Sequence, residues 1–269
     1  MRMAEGGGER STRVITSSPL ARRPLPAHRG AAGLLVVLVL TACAAPRPAP
    51  TVAPTTFDER FGRGVDALRQ GNFGQAAAEF EMALQLRPDS AKAHNYLGMA
   101  YERLENPARA REHFERAVEL DPSFAAAFNN LGSLHALAGD HARAVELFTK
   151  AVSLSPTLAA ANFNLGTSLL ALGRNDEALG YLLTALRLDP ALLESRSSLV
   201  IRTPSPTLSE AETAFLYAKL FAAVGNAEKT AEYLRRAREA GFRDWQRVAT
   251  EAEFASVRGD PRVAAFLPR

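Results

Sequence analysis

Four series of residues recur every 34 positions through the middle of this chain. Gly64, Gly98, Gly132 and Gly166 form the first series, and Ala76, Ala110, Ala144 and Ala178 the second. Ala83, Ala117, Ala151 and Ala185 form the third, and Pro88, Pro122, Pro156 and Pro190 close each cycle. A fixed period of this length signals a stack of identical supersecondary units, none of which can bury its apolar face alone. Such stacks present extended surfaces, which points toward holding other proteins and away from a globular catalytic core.

One unit can be built from its residues. In the stretch Ala91 to Pro122, side chains at Ala93, His94, Leu97, Tyr101 and Leu104 fall three to four apart, one face of a helix. A break around Glu105 to Pro107 precedes a second helical stretch with Ala110, Phe114, Ala117, Val118 and Leu120. The stretch ends at Asp121-Pro122, because proline cannot continue a helix and disfavours helical geometry in the residue before it. Gly98 falls mid-helix, where glycine costs about 1 kcal/mol against alanine. A cost repeated in four units implies that the two helices approach closely, with Ala110 and Ala117 serving the contact from the other side.

This pattern resembles the tetratricopeptide repeat family, with positions counted from Phe57, Ala91, Ala125 and Ala159. Position 7 carries the family's leucine as Leu97, Leu131 and Leu165, with Arg63 departing in the first unit. Position 8 is glycine and positions 20 and 27 are alanine in all four units. Position 24 is Phe80, Phe114, Phe148 and then Leu182, and position 32 is proline throughout. The tryptophan frequent at position 4 is absent; Arg60, His94, Phe128 and Asn162 stand there. Position 11 holds Tyr101 but also Ala67, His135 and Leu169. The resemblance implies an all-α, right-handed α-solenoid of stacked helical hairpins with a helical C-terminal cap. Its four units are 57–90, 91–124, 125–158 and 159–192.

The N-terminus carries a second signal. Met1 to Arg29 holds six arginines and two acidic residues, and Ala31 to Ala42 is twelve residues without charge. Twelve apolar residues are too few to cross a hydrocarbon core of ~30 Å but suit a signal peptide, here 1–42. Leu40-Thr41-Ala42-Cys43 resembles a bacterial lipobox, which implies cleavage before Cys43 and lipidation of its thiol; the alternative is a plain secretory signal with an incidental cysteine. Two or more acyl chains anchor a protein stably where one does not. The leader is long, which leaves a later start such as Val14 open, and Arg22-Arg23 leaves a twin-arginine export route open beside the general one. Residues 43–56 then form a lipidated cysteine with a tether carrying four prolines. Such a tether extends at ~3.1 Å per residue where polyproline-like. Ala44 is not the aspartate that the lipoprotein resemblance associates with inner-membrane retention. The expected location is therefore the periplasmic face of the outer membrane.

Removing the leader changes the charge argument. The whole chain has 32 basic and 29 acidic residues; without the leader's six and two, the rest is close to neutral at 26 and 27. The basic isoelectric point therefore gives no support to nucleic-acid binding. Arg235-Arg236-Arg238 reads as a solvated helix face. Cys43 is the only cysteine, so no disulfide forms within the chain. The histidines His28, His94, His113, His135 and His141 contain no i, i+4 metal pair, and no cofactor is expected. His135, at a core position, reads as a packed histidine. The acidic pairs Glu79/Glu81 and Glu251/Glu253 have no evident pocket. No nucleophile-elbow or phosphate-binding glycine motif is present, so neither an enzyme nor a small-molecule substrate is expected.

The period breaks after Pro190. Ala191 to Arg202 can form one helix, within an irregular linker assigned to 193–208. A degenerate hairpin at 209–240 follows, with helices over Ser209 to Val224 and Ala227 to Ala240. Ser209 and Glu212 form a capping-box pair. Tyr217, Phe221, Leu234 and Ala237 fall at positions 7, 11, 24 and 27, with Ala218 replacing the glycine and Thr230 the first alanine. Residues 241–269 read as a helical cap over the last apolar face, as terminal repeats require, or else as a separate binding element.

The resemblance also implies where a partner sits. In the family, positions 2, 5, 6, 9, 12 and 13 of each first helix line a concave groove. Those positions include Lys92, Asn95, Tyr96, Met99, Glu102 and Arg103 in the second unit. The third gives Asn129, Asn130, Ser133 and Leu137, and the fourth Phe163, Asn164, Thr167 and Leu170. Asn130 and Asn164 repeat at position 6, and an amide can serve both donors and acceptors of an extended peptide. The alternative is that asparagine serves a local role there. Lys92 is the one basic residue near the family's carboxylate-clamp positions, so no preference for a free C-terminus is expected. The expected partners are other proteins or extended peptides through the concave face, and a membrane through Cys43. The leading expectation is a membrane-anchored scaffold in assembly of an envelope complex such as a pilus or secretion pore. Alternatives are an adaptor docking a periplasmic protease or cell-wall enzyme, and a catalytic accessory using Arg243, Asp244 and Asp260.

Overall fold

The computed structural model describes residues 56–192 and 205–268. The leader, Cys43, nearly all of the tether and most of the helix expected over 191–202 lie outside them. The described residues are helical, with no strand among them. Eight helices form four hairpins: α1 (Phe57–Arg69) with α2 (Phe73–Leu86), and α3 (Ala91–Arg103) with α4 (Pro107–Leu120). Then come α5 (Ala125–Leu137) with α6 (His141–Leu154), and α7 (Ala159–Ala171) with α8 (Asn175–Leu188). Every first helix has 13 residues and every second helix 14. A fifth hairpin, α9 (Glu210–Ala223) with α10 (Ala227–Glu239), starts well after the point at which the period would begin a unit. The cap follows as α11 (Gln246–Thr250), a 3-10 turn (Ala252–Phe254) and α12 (Pro261–Ala264).

The local signals explain these limits. Thr56 and Ser209 each accept from the backbone N–H three residues on and receive the glutamate's reach in return, a full capping box. Ser90, Asn106, Asp140 and Asn226 cap other helices with a side-chain oxygen. Arg87, Asp121, Ser155 and Asp189, each before proline, all leave the helix at ψ between 86° and 93°. Within each of the five hairpins the turn places position 15 at positive φ: Gly71, Glu105, Gly139, Gly173 and Gly225. Four are glycine, which bears that geometry freely; Glu105, at φ 56°, does not.

The repeated glycine of position 8 has a specific partner. A Cβ at Gly64, Gly98 or Gly132 would stand 2.5, 2.6 or 2.8 Å from the phenylalanine of position 24 in the same hairpin. At Gly166 it would meet Leu182 at 2.6 Å and the Ala178 carbonyl at 3.1 Å. In the first three hairpins the close approach therefore seats a ring on a backbone, and in the fourth an alanine carbonyl is among the nearest atoms. Phe80, Phe114 and Phe148 are buried in full as a result.

Both ends of the stack are closed. At positions 3, 7 and 10 the second hairpin buries Ala93, Leu97 and Ala100 against the hairpin before it. The first hairpin has Glu59, Arg63 and Asp66 there, all exposed. Arg63, the departure from the leucine of position 7, is thus part of a polar end face that a first unit needs. At the other end the cap supplies Phe242 and Phe254, whose rings pack 4.2 and 5.6 Å from Phe215. Ser256 reaches back to the Ala222 carbonyl. Lys219, nearly buried on α9, is met by Glu251 at 2.9 Å and Glu253 at 3.6 Å. That acidic pair, which has no evident pocket in the sequence, is the counter-charge of a buried lysine. Glu79 likewise faces Arg60 and Arg63, and Glu81 accepts from the Tyr101 hydroxyl.

Positions 4 and 23 face each other across a hairpin, and their chemistry changes from unit to unit. The first hairpin has an Arg60–Glu79 ion pair at 3.1 Å and the second a His94–His113 contact at 3.1 Å. The third has Phe128 and Leu147 in one apolar cluster. In the fourth, Asn162 turns back to the Pro156 carbonyl, as His94 does to Pro88. These contacts occupy the place of the absent tryptophan. His135 at position 11 is only part-buried and bonds Asp140 at 3.2 Å.

Candidate peptide-binding groove

Positions 5 and 6 meet between neighbouring hairpins, with position 5 of one against position 6 of the next. Phe61 and Tyr96 pack edge to face at 5.2 Å. Asn130 donates to the Asn95 oxygen at 2.9 Å. Asn164 donates to Asn129 at 3.0 Å, and also to the Ser133 hydroxyl at 3.3 Å. Phe163 joins the apolar cluster that contains Leu216 of α9. The 35-residue offset behind the two amide pairs is readable in the sequence, but counting at 34 aligns Asn130 with Asn164 and hides their partners.

The asparagines are thus first bonded to one another. Asn129 also donates toward Asn130 at 3.4 Å, so the amides form a short chain across hairpins two to four. Each amide has two N–H donors and two acceptor sites, and these bonds leave capacity on the part-exposed Asn129 and Asn130. Asn95 is 3 % exposed, and its remaining polar contact is the Met99 sulfur at 3.8 Å.

A hollow of about 600 Å³ opens over this chain. Lys92, Asn95, Tyr96, Met99, Asn129 and Asn130 line it, with Phe124 and Leu158 at its edge. Six of the predicted groove positions therefore converge. Lys92 extends over the Phe61 ring, its Nζ 5.1 Å from the centroid. Ser133 and Thr167 spend their hydroxyl protons on backbone carbonyls one turn back. Arg103 lies over Phe73, and burial pushes the Glu102 carboxyl above its usual range.

The fourth hairpin differs. Phe163 is fully buried, Asn164 is 8 % exposed and Leu170 is buried, so these positions are core and not open lining. Large apolar side chains there join the cluster that continues into the fifth hairpin. The alternative catalytic set does not converge either. Arg243 and Asp244 line a hollow with Trp245 and Phe266, whereas Asp260 lines another with Phe221 and Arg262. Asp260 caps α12, and its bonds from Arg262 hold its carboxyl down at about 2. Among the described residues no three His, Cys, Asp or Glu side chains gather to hold a metal. No helix among them is long and apolar enough to cross a membrane.

The hairpins, their glycine–phenylalanine seats and their closed ends define an α-solenoid of the protein-binding kind. Comparison with known families names it. One tetratricopeptide repeat profile matches residues 61–123 and 97–159, and a second matches 135–194. This chain carries tetratricopeptide repeats.

Among solved structures, PilF of Pseudomonas aeruginosa is similar at 22% identity, covering 78% of this chain and 88% of its own, with a TM-score of 0.50. A structure of MamA matches at 18% identity over 73% of this chain and 95% of its own, with a TM-score of 0.48. YrrB, described as a tetratricopeptide protein with an unusual peptide-binding site, matches at 22% identity over 68% and 85%, with a TM-score of 0.46. The likeness to each is one of fold. No curated protein matches the chain in sequence.

Proposed function

We propose that this chain is a lipid-anchored scaffold that holds an extended segment of another envelope protein in the groove of its second and third hairpins. The observation that carries the reading is the 600 Å³ hollow over the Asn95–Asn130 and Asn129–Asn164 pairs. It joins an apolar floor to amides with bonding capacity left over, the combination that an uncharged extended peptide requires. Cys43 in its lipobox-like tetrad supplies the anchor, and the proline-rich tether spaces the stack from the membrane. The order of parts resembles that of tetratricopeptide lipoproteins that pilot pilus or secretion pores, and Ala44, in place of a retention aspartate, supports an outer-membrane, periplasm-facing location in a cell with two membranes.

A photo-crosslinking residue placed in cells at Met99, and separately at Asn129, is expected to trap the same envelope protein. The same residue at the exposed Glu115 is expected to trap none. Equal trapping from Glu115, or none from the groove, sinks the reading. Capture of a protease or a cell-wall hydrolase turns the scaffold into an adaptor. Cys43→Ala is expected to abolish fatty-acid labelling and release the protein from membranes; retention through a salt wash contradicts the anchor.

A further inference from the structure

Of the four contacts at positions 4 and 23, the one in the second hairpin joins two groups of the type that titrates near neutrality. Nδ1 of His94 on α3 and Nδ1 of His113 on α4 lie 3.1 Å apart, with the ring centroids at 5.3 Å, so the rings meet head-on along one hydrogen bond. The Nε2 of His94 is 3.1 Å from the Pro88 carbonyl oxygen. A carbonyl only accepts, so Nε2 carries the proton and Nδ1 presents a lone pair. The Nδ1–H of His113 donates to it. This bond limits the charge that the closed pair can hold. One added proton can enter on His113 Nε2 and leave the bond intact. A second must enter on His94 Nδ1, where it meets the N–H of His113 and sets two cations in contact. The closed pair therefore holds at least one proton fewer than two separated imidazoles.

We propose that the His94–His113 pair is an acid-sensitive latch between α3 and α4, whose full protonation drives the rings apart and loosens the helix that lines the groove. That helix carries Lys92, Asn95, Tyr96 and Met99, all of which line the hollow. His94 lies directly before Asn95, so a shift of its ring is felt at the amide on the groove floor. The consequence for a bound peptide, release in mild acid, rests on the peptide-binding reading of that groove.

The groups around the pair oppose one another. From α2, Glu81 favours a charged ring; from α4, Glu112 favours it while Arg109 and Arg116 oppose it. The His113 ring also lies flat against Tyr101 of α3, 5.6 Å between centroids, and Tyr101 is held by Arg109 at 2.7 Å and by Glu81. Burial is the largest influence, and it holds both imidazoles below the ordinary histidine range. The sign follows from the unfolded chain, whose histidines take up protons near pH ~6.5. The stability that the neutral pair lends is present above that pH and is lost as the pH falls below it. Each proton that the closed pair excludes shifts the opening equilibrium by about tenfold per pH unit, to a ceiling of about thirtyfold at pH 5.0. Ring rotation without opening takes up part of that ceiling.

The test is amide hydrogen exchange of the full chain at about pH 7.5 and about pH 5.0, corrected for the intrinsic rate at each pH. The reference is a His94→Phe/His113→Leu variant, which grafts in the Phe128 and Leu147 that hold the same positions in the third hairpin. His135 and His141 are common to both chains, so their titration cancels. On acidification the native chain is expected to gain roughly tenfold more opening of α3 and α4 than the variant. An equal response in the two overturns the latch. Nitrogen-15 spectra of the native histidine rings give a second reading that needs no variant. Two charged rings at the lower pH support the latch; an Nδ1 proton still shared between them overturns it. No peptide enters either measurement, so the latch can fail while the groove reading stands, and the reverse.

Discussion

In the first three hairpins a glycine at position 8 lies under a phenylalanine at position 24; in the fifth, Ala218 and Leu234 hold those places and both are fully buried. The first arrangement brings a backbone against a ring and gives units of identical length that stack at one spacing. The second fills the same interface with side chains, and it belongs to a hairpin that stacks on one side only and is covered by a cap on the other. The repeat glycine is thus a condition of seating a ring against the facing backbone within a hairpin, and not of forming a hairpin at all. The sharpest way to break the comparison is to exchange the chemistry. Gly132→Leu, whose Cβ would already lie 2.8 Å from Phe148, is expected to cost about 3 kcal/mol in urea unfolding. Ala218→Gly is expected to cost only about 1 kcal/mol, through helix propensity and a small void. Equal losses would show that the two interfaces are packed alike.

The same two regions differ in buried charge. In hairpins one to four the buried polar side chains of the first helices are the neutral Asn95, Asn162, Asn164 and Ser168, whereas α9 buries Lys219 and depends on the cap for Glu251 and Glu253. Glu251 is also bonded by Arg247 at 2.6 Å, so removing the lysine leaves it one partner. Lys219→Ala is expected to destabilise by about 2 kcal/mol, below the full cost of orphaning a buried charge. The loss should appear as faster exchange of amide hydrogens in 242–258 while the first three hairpins stay protected. Uniform loss of protection would mean that cap and stack unfold as one unit.

The difference between these regions was not equally visible beforehand. The 34-residue series specified the helices, their breaks and the fold, because each series reflects a contact made four times. Lys219 carried no such signal, since its partners lie about thirty residues away in a segment without a period. The groove lay between these cases. Asn95, Met99, Asn129 and Asn130 could be placed on one face by position alone, but the amide pairing could not, because hydrogen-bond partners depend on the shift between stacked helices. Phe163 was misplaced for the same reason: position in the repeat gave its direction and not what would cover it.

That shift between helices can be measured through coupling. Asn95 with Asn130 and Phe61 with Tyr96 occupy the same pair of positions, one with an amide bond and one with an aromatic contact. Double-mutant cycles to alanine are expected to give about 1 kcal/mol of coupling in each. Asn95 with Asn164, which share no bond, should give close to none. Coupling in the aromatic pair alone would show that the amides are held by the groove's solvent and not by each other.

The smallest effect concerns the turns. Position 15 takes positive φ in every hairpin, and four of the five sequences meet it with glycine. The second hairpin meets it with Glu105, fully outside the core, where a side chain with a Cβ is strained. Glu105→Gly relieves that strain but also frees the unfolded chain, and the two terms partly cancel. A net gain of about 0.5 kcal/mol is expected, seen as a slightly higher denaturant midpoint with an unchanged slope. The matched change Gly139→Glu in the third hairpin should lose about 1 kcal/mol, since the strain is added while nothing in the fold compensates it. If Glu105→Gly instead destabilises, the glutamate makes a contact that outweighs its backbone geometry, and the second hairpin's turn is a functional departure from the repeat.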